Sequence, residues 1–472
     1  MRSPESLSDS RHTWLALILA GVIARIAVVI IAGNHLRAPW SGGGDAPVYE
    51  LLAQNLLSRR GFTYCWQPTA LRAPGYPVLL ATLMWAFADK YVIVVRCIQF
   101  LLGLATVYFC SLASTLAFGK RAGRTTALIG MFCPTLFFVT GEVLTECVGV
   151  FFSSLFFYLL IREIDSHSET VIAGMGIVTG VASLFRFNMA GLGLVGAPLV
   201  FLISPTRRWR ALAVFCLLST APIAPWLLRN QKAFNRPLYS TLSGHDAVEG
   251  VVAPQGRALP GDSARIEAAE GWLLADIETN NPSRLRFPPE DRLNTEAWAR
   301  ARNLWGEWRW RLVPLAFTKL SYFWLSLDQV LWTQSFSVLQ RLFRWSGVLI
   351  YWGLLAMAVS GWFRVWRYKP TLALTFLLYV IALTALHLPF PMLTRLRIPL
   401  MDPLIIILSG AALMEGSRAR LQDALAASKY FRVASAALRF RTLFRGSAGL
   451  HLFVAGRRRP PASTKGSWQT WA

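Results

Sequence analysis

Long apolar segments are the feature that most constrains how this chain can fold. Most are long enough to cross the hydrocarbon core of a bilayer, and they recur along the sequence at 14–32, 92–118, 191–203, 211–228, 348–362, 372–388 and 398–414. Hydrophobic residues make up 54% of the 472 residues and charged residues only 15%. The sequence therefore predicts an all-α polytopic membrane protein.

The first apolar run lies where a secretory signal peptide would lie. Its core, 15–32, is longer than the hydrophobic region of most signal peptides, and no convincing small-x-small cleavage site precedes the Asp45 loop. We therefore expect an uncleaved first span and a cytoplasmic N-terminus.

Basic residues in short loops predict the orientation of the chain. They occur at 120–124, 207–210 and 364–369 and throughout 418–465, and the positive-inside rule places all four segments in the cytoplasm. This arrangement gives about 10 spans with both termini inside, if 314–332 is an interfacial or re-entrant helix. The net charge of +23 then reflects topology and contact of the tail with anionic inner-leaflet lipid, not binding of nucleic acid.

This topology divides the chain into four regions. Residues 1–228 form an N-terminal transmembrane core, whose first outer loop, 33–90, carries two juxtamembrane helices. Residues 229–312 form a small outer cap. Residues 313–415 contribute the interfacial helix and the C-terminal spans, and 416–472 form a basic cytoplasmic tail.

The first outer loop carries the residues with the clearest chemistry. Asp45 follows Gly42-Gly43-Gly44, and Arg72 precedes the turn Pro74-Gly75. A carboxylate and a guanidinium at the membrane surface suit chemistry on a lipid phosphate, because arginine donates two parallel hydrogen bonds to phosphate. The six histidines are scattered without metal-ligand spacing, and no nucleotide-binding loop is present, so no metal and no cofactor are expected.

Several motifs in a fixed order resemble the GT-C membrane glycosyltransferases, in particular the family that includes protein O-mannosyltransferases and the aminoarabinose transferases of lipid A. The motifs are Gly-Gly-Asp-x-x-x-Tyr at 43–49, Arg-x-Pro-Gly-Tyr-Pro at 72–77, Thr-Glu at 145–146, Pro-Trp-Leu-Leu-Arg-Asn at 225–230 and Arg-Leu-Arg-Ile-Pro-Leu at 395–400. The resemblance extends from about residue 14 to 415. Many relatives have Pro-Pro where this chain has Ala73-Pro74.

The resemblance implies a GT-C-like helical bundle that moves a hexose or pentose from a polyprenyl-phosphate donor to a lipid, glycan or protein acceptor. A carboxylate must then accept or steer the acceptor's proton, and Asp45 is the candidate; capping of the following helix is its structural alternative. Arg72 is the candidate for the donor phosphate, and its alternative is a lipid-headgroup anchor.

Further candidate site residues follow from the other motifs. Glu142 and Glu146 share one helical face, and either could be the second functional carboxylate, with Glu142 the better candidate for a catalytic part. Arg186, Asn188 and His387 could line the same cavity or serve packing. The remaining substrate-binding candidates are Tyr49, Tyr76, Arg229, Arg395 and Arg397.

Two other classes of protein fit part of the pattern. A transporter or flippase of lipid-linked sugars would also have about ten spans, and a noncatalytic scaffold could use the same charges for packing. Because the polar residues cluster around long outer loops, we favour an enzyme of the inner (plasma) membrane that works at the periplasmic face.

Overall fold

The computed structural model describes residues 16–27, 45–64, 67–141, 144–252, 290–327 and 338–414. Within these ranges the chain is almost entirely helical. A two-stranded antiparallel sheet in the first outer loop pairs β1 (Thr63–Tyr64) with β2 (Gln67–Pro68). The predicted tail, 416–472, lies outside the described residues.

The helices follow one another through short connections. They are α1 (Ala16–Ala27), α2 (Asp45–Leu57), α3 (Gly75–Phe87), α4 (Tyr91–Phe118), α5 (Lys120–Phe132), α6 (Pro134–Gly141), α7 (Glu146–Ser166), α8 (Glu169–Phe185), α9 (Ala190–Ile203), α10 (Arg208–Thr220), α11 (Ala224–Phe234), α12 (Ser243–Val252), α13 (Glu290–Trp308), α14 (Leu312–Leu325), α15 (Val338–Tyr368), α16 (Pro370–His387) and α17 (Thr394–Ala411).

Several helices are long and apolar enough to cross a bilayer. Among the described residues they are the stretch Gly75–Phe118, which joins α3 and α4 through a single turn, together with α7, the segment Trp345–Tyr368 of α15, and α16. The pair α10 and α11 would add a fifth span, bent by 53°. These helices agree with the predicted all-α polytopic membrane protein, and the count of about 10 spans stays a prediction.

Proline divides two of the apolar runs into separate helices. The apolar segment 125–141 is divided between α5 and α6, where Pro134 begins the second helix. The run 211–228 is bent at 221–223, which contains Pro222. Proline lacks the N–H of a helical hydrogen bond and its ring clashes with the preceding turn. An apolar run therefore does not by itself predict a straight span.

Helix α7 lies at the centre of the helical bundle, with α4, α8 and α17 packed around it. Phe156 and Phe157 are fully buried there, and the Phe157 ring lies 4.9 Å from the ring of Tyr379 on α16. Because lipid tails are as apolar as these side chains, close packing stabilises the contacts more than exclusion of water does. The centre of the bundle thus provides a rigid support for the N-terminal end of α7, where Glu146 lies.

Candidate active site

Asp45 is the first residue of α2, and two arginines from distant parts of the chain contact its carboxylate. The Nη2 atom of Arg72 donates to Oδ1 at 2.6 Å, and the Nη2 atom of Arg395 donates to Oδ2. The side chains of Asp45, Arg72 and Arg395 keep 17%, 21% and 31% of their surface exposed. Both carboxylate oxygens are thus engaged by guanidinium groups in a place that solvent or a ligand can reach.

Glu146, the first residue of α7, extends this arrangement. Its Oε1 atom lies 3.0 Å from Nη1 of Arg186 and 3.5 Å from Nε of Arg395. Arg186 also donates to Oγ1 of Thr145 at 2.8 Å and to Oδ1 of Asn188 at 3.0 Å. The N-terminus of a helix favours a negative charge, and the Glu146 side chain lies there between the two arginines.

Five charged side chains therefore form one connected group, here called the Asp45 cluster: Arg72, Asp45, Arg395, Glu146 and Arg186. Its guanidinium groups outnumber its carboxylates by one, so the cluster has a net charge of +1. A partly desolvated site with excess positive charge attracts an anion, and guanidinium groups suit phosphate in particular.

The turn after Arg72 fixes the position of that side chain. A Cβ atom on Gly75 would lie 2.8 Å from the carbonyl oxygen of Leu184, at the end of α8. Only glycine therefore fits at this contact without a shift of the backbone. The close approach brings α3 against α8 and so places Arg72 beside Asp45.

Tyr49 and Tyr76 lie behind the cluster rather than on its open side. Both are buried, and their rings meet edge to face with centroids 5.2 Å apart. They pack with Ala53 and Leu80, which joins α2 to α3. The structure thus places these two substrate-binding candidates in the apolar support of the first outer loop.

Arg229 holds the first outer loop from a different side. Its Nη1 donates to the carbonyl oxygen of Thr69 at 2.7 Å, and its Nη2 donates to that of Phe62 at 2.5 Å. The side chain also borders an open cavity of about 500 Å³, lined by Pro225, Leu228, Arg229, Lys232 and Ala233. Arg229 is therefore an anchor of the loop, and no contact in the described residues joins it to the Asp45 cluster.

Arg397 lies only two residues beyond Arg395 but points elsewhere. It is fully buried, its Nε lies 3.2 Å from Oδ1 of Asp402, and its guanidinium covers the ring of Tyr351 at 4.4 Å. Successive helical residues are 100° apart, so residues i and i+2 face nearly opposite sides. Of the two arginines predicted to bind substrate in this motif, the structure brings only Arg395 to Asp45.

Three other sequence candidates have different outcomes. Glu142 lies outside the described residues. His387 is buried, its Nδ1 lies 2.8 Å from the carbonyl oxygen of Leu383, and its ring lies against Phe323. Arg186, for which the sequence allowed either a structural or a functional role, is a member of the Asp45 cluster. The sequence could not decide between these roles, because its partner Glu146 is 40 residues away and no local pattern joins the two.

The cap adds a part of the site that the sequence did not single out. The N–H of Thr241 donates to the carbonyl oxygen of Ala70 at 3.1 Å, and the N–H of Ala70 donates to Glu290 at 3.0 Å. Burial raises the pKa of the Glu290 carboxyl, while hydrogen bonds from Thr69, Ala70 and Thr241 partly oppose this. These contacts fasten α12 and α13 to the loop that carries Arg72. Sequence reasoning missed them because they depend on tertiary structure alone.

Comparison with known families gives one match. Residues 72–228 match the family model described as dolichyl-phosphate-mannose-protein mannosyltransferase. This range includes Arg72, Glu146 and Arg186 but not Asp45 or Arg395. The match confirms the resemblance that the motifs indicate, and supports a membrane glycosyltransferase of the GT-C type. Among proteins with curated descriptions, a sequence search finds no match.

Solved structures with a similar fold include ArnT from Cupriavidus metallidurans bound to undecaprenyl phosphate, at 13% identity over 85% of this chain and 78% of that chain, with a TM-score of 0.39. The oligosaccharyltransferase of Archaeoglobus fulgidus tethered with an acceptor peptide is 16% identical over 90% of this chain and 53% of that one, with a TM-score of 0.48. AglB of the same organism, in complex with an inhibitory peptide and a dolichol-phosphate, is 13% identical over 94% and 53%, with a TM-score of 0.48. This chain spans about half the length of the archaeal enzyme.

Proposed function

We propose that this protein is an integral membrane glycosyltransferase that moves a hexose or pentose from a polyprenyl-phosphate donor to a hydroxyl or amine acceptor. The observation that carries the proposal is the Asp45 cluster, a partly open group of charges with one positive charge in excess. A sugar–phosphate diester carries a single negative charge, which this excess would balance. The family model that matches residues 72–228 is named for a dolichyl-phosphate-mannose donor, which also supports a lipid-linked sugar donor.

In this proposal Arg72 and Arg395 bind the donor phosphate. Glycosyl transfer turns a phosphodiester into a phosphate monoester, so negative charge develops on the phosphate as the sugar leaves. Preorganised cations stabilise such a transition state more than the ground state. Both arginines contact Asp45 in the structure, so the phosphate would compete with that carboxylate or share their remaining N–H groups.

Asp45 would orient the acceptor and hold the two arginines in place. Its two oxygens both accept hydrogen bonds from guanidinium groups, which favours an orienting part over direct removal of a proton. Glu146, which pairs with Arg186, would hold the Arg395 guanidinium in place from the side of the helical bundle. We place Tyr49, Tyr76 and Arg229 in support of the loop, and Arg397 in a separate buried pair.

The two ends of α7 support a site at the outer membrane face. Glu146 begins this helix, and Glu163 lies near its other end, so about 25 Å separates them along the axis. At that other end Arg207 lies 3.1 Å from Glu163, and Arg210 lies 2.9 Å from Glu169. The loop with Arg207 and Arg210 is one of the basic loops that the positive-inside rule assigns to the cytoplasm. We therefore propose a periplasmic or equivalent outer site in the inner (plasma) membrane, with cytoplasmic termini.

The transporter alternative is not favoured. Transporters commonly bind their substrate near the bilayer midplane, between repeats. Here the connected charges lie at the end of α7 and on the loops beside it, where an acceptor outside the membrane could approach.

The test is transfer of a labelled sugar by the purified full chain in lipid nanodiscs. The probes are undecaprenyl-phosphate mannose and undecaprenyl-phosphate arabinose, with the envelope extract of a strain lacking the protein as the pool of acceptors. We expect the labelled sugar of one probe to be transferred to a component of the extract, with release of undecaprenyl phosphate. Arg72→Ala should lower the rate, whereas Arg236→Ala, which removes an exposed arginine of the cap, should not. Turnover of a nucleotide sugar, or no transfer from either probe, would contradict the proposal.

A further inference from the structure

Asp246, on α12 of the cap, is a carboxylate without a hydrogen-bond or ion-pair partner among the described residues. It is half-buried, yet within the described residues its side chain makes neither a hydrogen bond nor an ion pair. Its surroundings include Arg72 of the first outer loop, whose charge acts on the carboxyl. A half-buried carboxylate that lies close to a candidate active site is a candidate for a functional role.

The packing of α12 fixes the direction in which Asp246 faces. Residues 242, 246 and 250 share one face of this helix, since they are four apart. Immediately before that face begins, Thr241 pairs with Ala70 of the first outer loop. At its end, a Cβ atom on Gly250 would lie 2.9 Å from the backbone of Phe390, so the helix there touches the 389–390 segment. Asp246 lies midway between these two contacts.

The opposite face of α12 is occupied by apolar packing. Ala247, Val248 and Val251 are buried against α13, together with Ala301 and Leu304. The N–H of Gly244 also donates to Oδ1 of Asn294 at 2.7 Å. The helix therefore cannot rotate to bring Asp246 away from the first outer loop without exposing this apolar cluster.

The chemical state of Asp246 differs from that of Asp45. Burial raises the pKa of the Asp246 carboxyl to about 7, even though the charge of Arg72 acts to lower it. A general base works best when its pKa lies near the working pH and when a lone pair is free to accept the proton. Asp246 meets both conditions, whereas both oxygens of Asp45 already accept hydrogen bonds from Arg72 and Arg395.

We propose that Asp246 is the general base that removes the proton of the acceptor, with Asp45 as the orienting carboxylate. The inference rests on the proposed glycosyl transfer. In the step, the acceptor's oxygen or nitrogen forms a bond to the anomeric carbon, and the bond from that carbon to the donor phosphate oxygen breaks. The bonding electrons go to the phosphate, and the acceptor's proton goes to the Asp246 carboxylate. The products are the glycosylated acceptor, polyprenyl phosphate and protonated Asp246.

The other charged groups around α12 are less suited to this role. Burial and the charge of Arg72 lower the pKa of His245, which makes its imidazole a weaker base, and His245 has interactions of its own. Glu290 of α13 already accepts hydrogen bonds from Ala70 and Thr241, and Lys319 of α14 donates to the carbonyl oxygen of Gly250. Glu249, on the helix itself, has interactions of its own. Among the described residues of this region, Asp246 is thus a carboxylate that interacts with Arg72 and makes no side-chain hydrogen bond.

The experiment compares Asp246→Asn and Asp246→Glu with the wild type in the nanodisc assay, with Glu296→Gln as control. Glu296 is an exposed acidic residue of the same cap, paired only with Arg292. We expect Asp246→Asn to lower turnover about 100-fold or more, Asp246→Glu to restore part of it, and the control to match the wild type. Undecaprenyl phosphate should bind all variants equally, which also shows that they are folded.

The pH profile gives a second readout. The base must be deprotonated, so wild-type turnover should rise between about pH 6 and pH 8, and this rise should be absent in Asp246→Asn. If the wild type transfers sugar and Asp246→Asn does so equally well, or keeps the same pH profile, the inference is wrong while the proposed function stands. If the wild type fails to transfer sugar from either probe, the proposed function itself fails.

Discussion

The Asp45 cluster and the charges at the other end of α7 differ in one respect that matters for function. The second group, here called the Glu163 cluster, joins Glu163, Arg207, Glu169 and Arg210. Its positive and negative charges balance, and Glu163 is fully buried with additional donors from Ser168 and Ser204. The Asp45 cluster has one more arginine than carboxylates.

The difference shows how similar residues can serve two purposes. Because its charges balance, the Glu163 cluster has no excess cation for an anion to pair with, and it serves to hold a loop. The excess positive charge of the Asp45 cluster remains available, and an anion that binds there gains charge-assisted hydrogen bonds. The same contrast separates Arg395, which is shared between two carboxylates and partly exposed, from Arg397, which is buried beside Asp402.

The largest expected effect is topological, because the two clusters should lie on opposite sides of the membrane. In a chain without its native cysteines, Arg236→Cys and Thr206→Cys place single thiols at exposed positions near the cap and near the Glu163 cluster. A membrane-impermeant maleimide should label position 236 in intact cells and position 206 only after permeabilisation. The reverse pattern would place the Asp45 cluster on the cytoplasmic side and would contradict the assignment of the two clusters to the two membrane faces.

Asp45→Asn should have the next largest effect, on turnover. The substitution keeps the shape of the side chain but removes the charge that holds Arg72 and Arg395, so the reacting groups lose their alignment. Misplacement of this kind commonly costs about 100-fold in rate. Affinity for undecaprenyl phosphate should not fall, because the competing carboxylate charge is gone. Asp89→Asn, at an exposed position of the first outer loop, is the control; equal rates for the two variants would remove Asp45 from the mechanism.

Gly75→Ala should have a smaller effect, on thermal stability, and it should disturb the packing next to the Asp45 cluster. The new Cβ atom would lie 2.8 Å from the carbonyl oxygen of Leu184, and overpacking of this kind commonly costs about 1 to 3 kcal/mol. Gly174→Ala is the matched variant near the other end of the bundle, where the nearest atom is Leu159 Cδ1 at 3.6 Å. We expect a lower Tm only for Gly75→Ala. An unchanged Tm for both would show that the turn after Arg72 is loosely packed.

Part of this picture could be predicted from the sequence. Apolar length predicted a polytopic helical protein, and the order of the motifs identified the outer loop with Asp45 and Arg72 as the place to look. These features are local in sequence. The breaks at Pro134 and Pro222 could also have been expected, since proline interrupts helical hydrogen bonding.

The rest depends on contacts between distant segments. Whether Arg395 or Arg397 faces Asp45 is decided by the rotation of α17, and the motif that contains both gives no preference. Arg229 donates hydrogen bonds to the carbonyl oxygens of Phe62 and Thr69. No pattern in its own helix predicts these contacts. The position of Asp246 near Arg72 depends on the contact between the cap and Ala70, which no local pattern around Asp246 indicates.

The most direct test of the central claim is equilibrium binding of undecaprenyl phosphate to the purified chain. The variant that combines Arg72→Ala with Arg395→Ala removes two cations from the Asp45 cluster. The matched variant that combines Arg208→Ala with Arg210→Ala removes two exposed arginines at the other end of α7, one of which, Arg210, belongs to the Glu163 cluster. Since a charge-assisted hydrogen bond commonly contributes about 1.5 to 3 kcal/mol, we expect the first variant to bind at least about 10-fold more weakly and the second to bind like the wild type. Equal affinity of both variants would contradict the account, because the excess positive charge beside Asp45 would then have no part in holding a lipid phosphate.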